Sequence, residues 1–219
     1  MEPYISQHPK HGELVLNLRK NRNCELLDLG CGFGQNIYHL INLGVHPEQL
    51  YGLDIDERFV DLGKQLYATK FQSHRAPKFL FANILDMESD SLTKLRGKFD
   101  YVYAAAFFHL FDEKQQYTAF KQAIQLLKPQ AGSAILGTQA GSNVSKLKTH
   151  MPVIGEKMFI HNPQSLGNMI RKVSAETGLK LVVEAKVKYS AEYELFAKSY
   201  SNYDGDGGSK IVFSITRLD

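Results

Sequence analysis

The amino-acid sequence predicts an α/β protein built on a doubly wound, mostly parallel sheet, and three observations carry that reading. The stretch Leu26-Leu27-Asp28-Leu29-Gly30-Cys31-Gly32-Phe33-Gly34 is an apolar run that ends in a carboxylate and then in glycines at alternate positions. Such a pattern reads as a buried parallel strand turning sharply into a helix. Between residues 24 and 139, strand-like and helix-like segments then alternate, which is the rhythm of βαβ units with ligands at the carboxyl ends of the strands. Finally, 219 residues suit one such domain, enough to bury roughly 70% of the unfolded surface.

Each element has its own justification. Residues 11–19 carry Leu14, Leu16 and Leu18, a spacing that leaves helix and strand both open. Residues 24–29 form the first strand, and residues 35–43 a helix with Ile37, Leu40 and Ile41 on one face and Gly44 placed to end it. Residues 49–55 read as strand two, after which Asp56 can cap a helix whose Phe59, Leu62 and Leu66 recur at helical spacing. Residues 78–83 and 99–106 are strands three and four. Asp86 is open between a ligand contact and a helix N-cap. Asp112 caps a helix bearing Phe120, Ala123, Ile124 and Leu127, which Pro129 stops, and residues 133–139 are strand five. A polar stretch then runs to Ile160 and reads as a binding loop or lid. Asn162-Pro163 opens a helix with Leu166, Ile170 and Val173 on one face and Gly178 as its C-cap. Residues 179–188 and 210–218 are strand-like, separated by a loop containing Asp204-Gly205-Asp206-Gly207-Gly208.

Composition narrows the function classes. Apolar residues are 43% and charged residues 22%, ordinary for a globular protein. The net charge of +3 comes without a long Lys/Arg run, so no nucleic-acid partner is expected and the partner reads as a small molecule. Cys24 and Cys31 bracket one strand too far apart for a disulfide between them. They are expected as reduced thiols. No signal-like apolar stretch opens the chain and no uninterrupted apolar segment of about 18 residues occurs, so the expectation is cytoplasmic, without a membrane span. The eight histidines are scattered, and no metal site is expected.

The glycine stretch points to a cofactor. Gly30, Gly32 and Gly34 let the backbone take positive φ and approach a ligand closely. A dinucleotide fingerprint would put its third glycine at position 35, where the chain has Gln. This leaves an NAD-dependent oxidoreductase as the weakest reading. A fixed carboxylate, Asp28, instead suits a ligand with an ammonium or sulfonium group. Asp54 ends strand two, 24 residues after Gly30, where a carboxylate can accept from both ribose hydroxyls. The segment resembles motif I of the class I S-adenosylmethionine methyltransferases, D-x-G-x-G-x-G. That resemblance implies a single Rossmann-like seven-stranded sheet closed by a C-terminal antiparallel hairpin, with residues 1–22 as a cap segment and 23–219 as the domain. It implies cofactor contacts from Asp28, Gly30, Cys31, Gly32, Asp54 and Ile55. Phe81-Ala82-Asn83-Ile84-Leu85-Asp86 looks like motif III, where Asn83 and the Ile84 N–H would hold the adenine edge. Family members commonly have Asp where this chain has Asn83. Ala104-Ala105-Ala106-Phe107-Phe108-His109 lies at motif IV, with Ala104 leaving room for the cofactor's amino acid end and His109 the candidate general base.

The resemblance narrows further. Leu-Tyr-Gly-Leu-Asp-Ile, Phe-Val-Asp-Leu-Gly, Phe-Phe-His-Leu-Phe, Leu-Leu-Lys-Pro and the segment Phe159-Ile160-His161-Asn162-Pro163-Gln164-Ser165-Leu166 are similar to the methyltransferases of fungal terpenoid and polyketide pathways. Such enzymes commonly methylate an oxygen of a secondary metabolite. No Asn/Asp-Pro-Pro-Tyr follows strand four, against methylation of flipped bases, and no acidic cluster stands there for magnesium. Motif I begins 25 residues in, earlier than in that group. The acceptor is then held by residues 138–161 with the N-terminal segment, or by a second copy or partner chain that completes the site. The rival expectation is a non-catalytic S-adenosylmethionine-fold subunit of a complex.

Overall fold

The computed structural model describes residues 3–67, 76–149, 157–189 and 209–219. Its core is a seven-stranded sheet built from β1 (Leu26–Leu29), β2 (Leu50–Asp54), β3 (Lys78–Phe81), β4 (Tyr101–Ala105), β5 (Ala134–Ala140), β8 (Leu181–Tyr189) and β9 (Ser209–Arg217), in the order β3-β2-β1-β4-β5-β9-β8. The first five run parallel, and β9 lies antiparallel between β5 and β8. The predicted doubly wound sheet and its terminal hairpin are therefore present. The strand order reverses between β1 and β4, which places the ligand crevice at the carboxyl ends of those strands.

Helices cover both faces. On one, α4 (Asp90–Thr93), α5 (Glu113–Leu126) and α6 (Pro163–Thr177) enclose Phe99, Phe108, Phe120, Ile135 and Phe213. On the other, α1 (His11–Lys20), α2 (Gln35–Asn42) and α3 (Glu57–Tyr67) enclose Leu14, Leu18, Leu26, Ile37, Val60 and Tyr103. Capping boxes start α5 at Asp112 and α6 at Asn162, and Gly178 closes α6 at φ 72°, each stabilising by about 1 kcal/mol.

Several sequence expectations are corrected. The ambiguous N-terminal segment is a helix, with Leu14 and Leu18 buried and Leu16 exposed. Strand three stops at Phe81, so Asn83 sits in the following loop. Ser89, rather than Asp86, caps α4. The expected loop before Ile160 contains an antiparallel pair, β6 (Lys146–Thr149) with β7 (Lys157–Ile160). Phe59, Leu62 and Leu66 on α3 are exposed, and Val60 and Gly63 face inward instead. The reason is steric: a Cβ at Gly63 would collide with the Phe33 carbonyl, so only glycine lets α3 lie against the glycine bend. The loop around Asp204 falls outside the described residues.

Residues 3–20 are part of this packing. Ile5, in the 3-10 turn Tyr4–Gln7, is fully buried beside Leu14 and Leu18. His8 Nε2 meets the Phe213 carbonyl at 3.1 Å, Lys210 Nζ donates to Gln7 at 2.8 Å, and Lys10 pairs with Glu184 at 2.9 Å. The segment thus crosses the sheet from α2 to β8.

Candidate active site

The strand-to-helix bend after β1 is held by its own backbone. Gly30 and Cys31 both donate their N–H to the Leu53 carbonyl, at 2.8 and 3.1 Å, which ties the bend to β2. Gly30 has φ 71°, and a Cβ there would strike the Phe107 ring. Gly32 has φ 51°, with nothing within 4 Å of a Cβ position, so the bend is open to a ligand on that side. The Gly32 N–H donates to Asp54 Oδ2 at 2.8 Å, and Asp54 Oδ1 accepts the Asp56 N–H at 3.1 Å. Asp54 is half-buried at the end of β2, while the next residue, Ile55, is 71% exposed.

Asp28 is a different carboxylate. It is buried within β1, and both of its oxygens accept from Asn36 Nδ2, at 3.3 and 3.2 Å. Burial pushes its pKa up to about 7; the Asn36 bond opposes that rise and the Asp54 charge adds to it. Asn36 Oδ1 in turn accepts the Ile5 N–H at 3.3 Å. One amide therefore couples the N-terminal segment to the acid beneath the bend. Cys31 is buried next to these acids, and burial raises its thiol pKa above the ordinary range.

At the end of β3, the Ala82 N–H donates to the Asp54 carbonyl at 3.2 Å. Asn83 is exposed and its Oδ1 accepts the Leu85 N–H at 3.0 Å, while the Ile84 side chain is buried. At the end of β4, Ala104 is buried and Ala106 adopts φ 50°, a left-handed conformation unusual for a residue with a Cβ. That turn carries Phe107 over Gly30. His109 follows in the 3-10 turn Phe108–Leu110, 7% exposed, with no partner for Nδ1 among the described residues. Burial lowers its pKa to about 4, so its imidazole is neutral at pH 7.

The fold thus gathers Asp28, Gly30, Cys31, Gly32 and Asp54 into one bend, with Ile55, Asn83 and Ile84 along the β2–β3 ends and Ala104 and His109 on the β4 side. Sequence reading did not single out Asn36 or a role for Phe107. Asn36 lies eight residues after Asp28 in a helix, and only its hydrogen bonds reveal the link. Two carboxyl groups flanking a bend whose glycine faces open space form an acceptor set for a ligand with an amino group and vicinal hydroxyls. The residues present fit S-adenosylmethionine on that ground.

Comparison with known proteins agrees. Residues 26–130 match the family described as "Methyltransferase domain". The chain is 33% identical to O-methyltransferase phiE of Fungal sp. (strain ATCC 74256), over 97% of this chain and 73% of that protein. It is 33% identical to methyltransferase adrK of Penicillium roqueforti over 84% of this chain; that match spans 64% of the relative. A similar fold occurs in the Burkholderia thailandensis 1,6-didemethyltoxoflavin-N1-methyltransferase crystallised with S-adenosylhomocysteine, with a TM-score of 0.61 at 12% identity, covering 98% of this chain and 80% of that one.

Proposed function

Because this chain belongs to the methyltransferases, we propose that it moves a methyl group from S-adenosylmethionine to an oxygen of a small organic acceptor such as a secondary metabolite. When bound, S-adenosylmethionine supplies an electrophilic methyl on a sulfonium centre. The single observation that supports this reading best is the pair of carboxylates set around the open Gly32 bend. Asp54 accepts the ribose hydroxyls, keeping one oxygen on the Gly32 N–H so that its carboxylate cannot rotate away. Ile55 offers apolar surface to the adenine face, and Asn83 with the Ile84 N–H holds the adenine edge, which requires Asn83 to share or release its local bond to Leu85. Gly30, Cys31 and Gly32 line the amino acid end, Asp28 lies beneath it as a carboxyl that ionises near pH 7, and Ala104 leaves it room. Residues 1–22 act as a cap over the Asp28–Asn36 side of the site, anchored through Ile5.

The chain's own contribution is chiefly positioning, which can lower a barrier by roughly 7 to 11 kcal/mol. Phe107, stacked over Gly30, excludes water between the two halves of the site. His109 takes the acceptor's proton at Nδ1, which its neutral state at pH 7 permits. Among the described residues no group of His, Cys, Asp and Glu could hold a metal, and no helix is long and apolar enough to cross a membrane. The chemistry assigned here draws on neither; a cytoplasmic site of action is part of the proposal.

Isothermal titration with S-adenosylmethionine and S-adenosylhomocysteine, followed by transfer of a labelled methyl to a panel of oxygen acids, tests this. Binding of both and label in an ether or ester product is expected. A well-folded chain that binds neither would refute the proposal.

A further inference from the structure

The carboxyl ends of β4 and β5 meet β7 and the start of α6 on the α5–α6 face of the sheet, and that junction is polar where a core should be apolar. Gln139 lies on β5 opposite Ile211, and the strand's alternation puts it on the same face as Ile135, which packs with Phe213 and Phe108. Gln139 is 1% exposed, and neither Oε1 nor Nε2 has a partner among the described residues. Two residues further along, Gly141 bridges to His161, and the Ser142 N–H donates to the His161 carbonyl at 3.1 Å. His161 is also 1% exposed, with Nε2 unpartnered among the described residues. The Phe159 N–H donates to the Phe111 carbonyl at 3.0 Å, joining β7 to the turn that carries His109. His109 Nδ1 is the fourth such atom. Leaving a buried polar atom unpaired costs about 1–3 kcal/mol, so this much unmet hydrogen bonding in one junction marks a place built for a polar ligand.

We infer that Gln139 and His161, together with His109, form the subsite that seats the acceptor's reacting oxygen; this rests on the proposed methyl transfer. The chemistry is specific. Ser165 Oγ accepts the Asn162 N–H at 3.0 Å and lies 2.8 Å from His161 Nδ1 and 3.1 Å from the Asn162 carbonyl. With Nδ1 engaged by Ser165, Nε2 of His161 is the ring nitrogen left for a ligand, as acceptor or donor according to the tautomer. Gln139 offers two N–H donors and one carbonyl. The set receives an oxygen acid: Gln139 donates to the oxygen, and an imidazole nitrogen accepts a hydroxyl hydrogen or, in its N–H tautomer, donates to a carboxylate. The Phe159 ring lies 4.8 Å from the His161 ring, and Phe107 and Phe111, their rings 5.4 Å apart, bracket the turn that carries His109. A carboxylic acid and a phenol share this chemistry. Gln139 and His161 are positioning residues for it.

The test uses chain saturated with S-adenosylhomocysteine and 15N-labelled at histidine, titrated separately with benzoate and with phenol while the imidazole nitrogens are followed by NMR. At least one probe is expected to shift His161 Nε2 and His109 Nδ1. Gln139→Leu should weaken that probe at least ten-fold while S-adenosylhomocysteine affinity stays within two-fold. Gln139→Glu should weaken benzoate more than phenol, by repulsion, if the acid is the true acceptor group. Unmoved imidazoles with both probes, or unchanged affinity in Gln139→Leu, would overturn the assignment. Failure of the parent chain to bind S-adenosylhomocysteine would overturn the proposed function and this assignment with it.

Discussion

The two halves of the site solve the burial of polar groups in opposite ways. On the β1–β2 side, the polar groups are paired before any ligand arrives: Gly30 and Cys31 to Leu53, Gly32 to Asp54, Asp28 to Asn36. On the β4–β5 side, His109, Gln139 and His161 are buried with polar atoms that have no partner among the described residues. A satisfied frame is rigid and costs little to keep, which suits a ligand that is the same in every turnover. An unsatisfied pocket stores part of its cost until a ligand completes it, which suits recognition of one particular acceptor.

Breaking the frame should cost most. Gly63→Val drives a side chain into the Phe33 carbonyl, where the opposing atom is backbone and cannot swing aside. A stability loss of about 3 kcal/mol is expected, read as a lower urea midpoint, together with weakened S-adenosylmethionine binding because the bend must move. An unchanged midpoint would show that α3 does not rest on the bend.

The two halves also differ in how they respond to pH. Asp28 has a folded pKa of about 7 against an ordinary 3.8. The folded chain therefore holds its proton more tightly, and this contribution to stability is lost as pH rises from about 4 to about 7. His109 and His161 are lowered to about 4 from 6.5 by burial. Their contribution is present above 6.5 and lost as pH falls toward 4, the opposite sign. In the parent the two effects oppose one another. Asp28→Asn removes one of them, so its urea midpoint should fall more steeply between pH 7 and pH 4 than the parent's. Parallel curves would mean that Asp28 is already ionised across that range.

The smallest effect is expected outside both halves. Leu62 on α3 is 52% exposed, and Leu62→Gln should change stability by less than about 0.5 kcal/mol and leave ligand binding alone. A larger loss, measured by thermal unfolding, would show that this apolar face is covered in solution.

The same contrast explains what could be read from the sequence. The frame around the bend is a local device: Asp28 through Gly34 lie in one run, and Asp54 ends the next strand, so spacing alone located them. Capping at Asp112 and Asn162 was equally legible, because an N-cap and its partner are three residues apart. Periodicity located α3 but not its inward face: Phe59, Leu62 and Leu66 are exposed, and Val60 and Gly63 face the core, Gly63 against the Phe33 carbonyl. The proposed acceptor side was legible only as His109 and a segment, residues 138–161; that Gln139 and His161 are drawn toward one junction depends on the pairing of β5 with β9 and the bridge from Gly141 to His161. Likewise, nothing in the spacing of Ile5, Asp28 and Asn36 announces the amide that joins them.

The central claim is that the donor's ribose is held by Asp54 across the end of β2. Titrating S-adenosylmethionine into the parent and into Asp54→Ala tests it most directly, with thermal unfolding confirming that both are folded. Loss of hydrogen bonds to a charged group, about 1.5–3 kcal/mol, predicts affinity lower by roughly ten- to a hundred-fold in the variant. Equal affinity in two folded proteins would contradict the account.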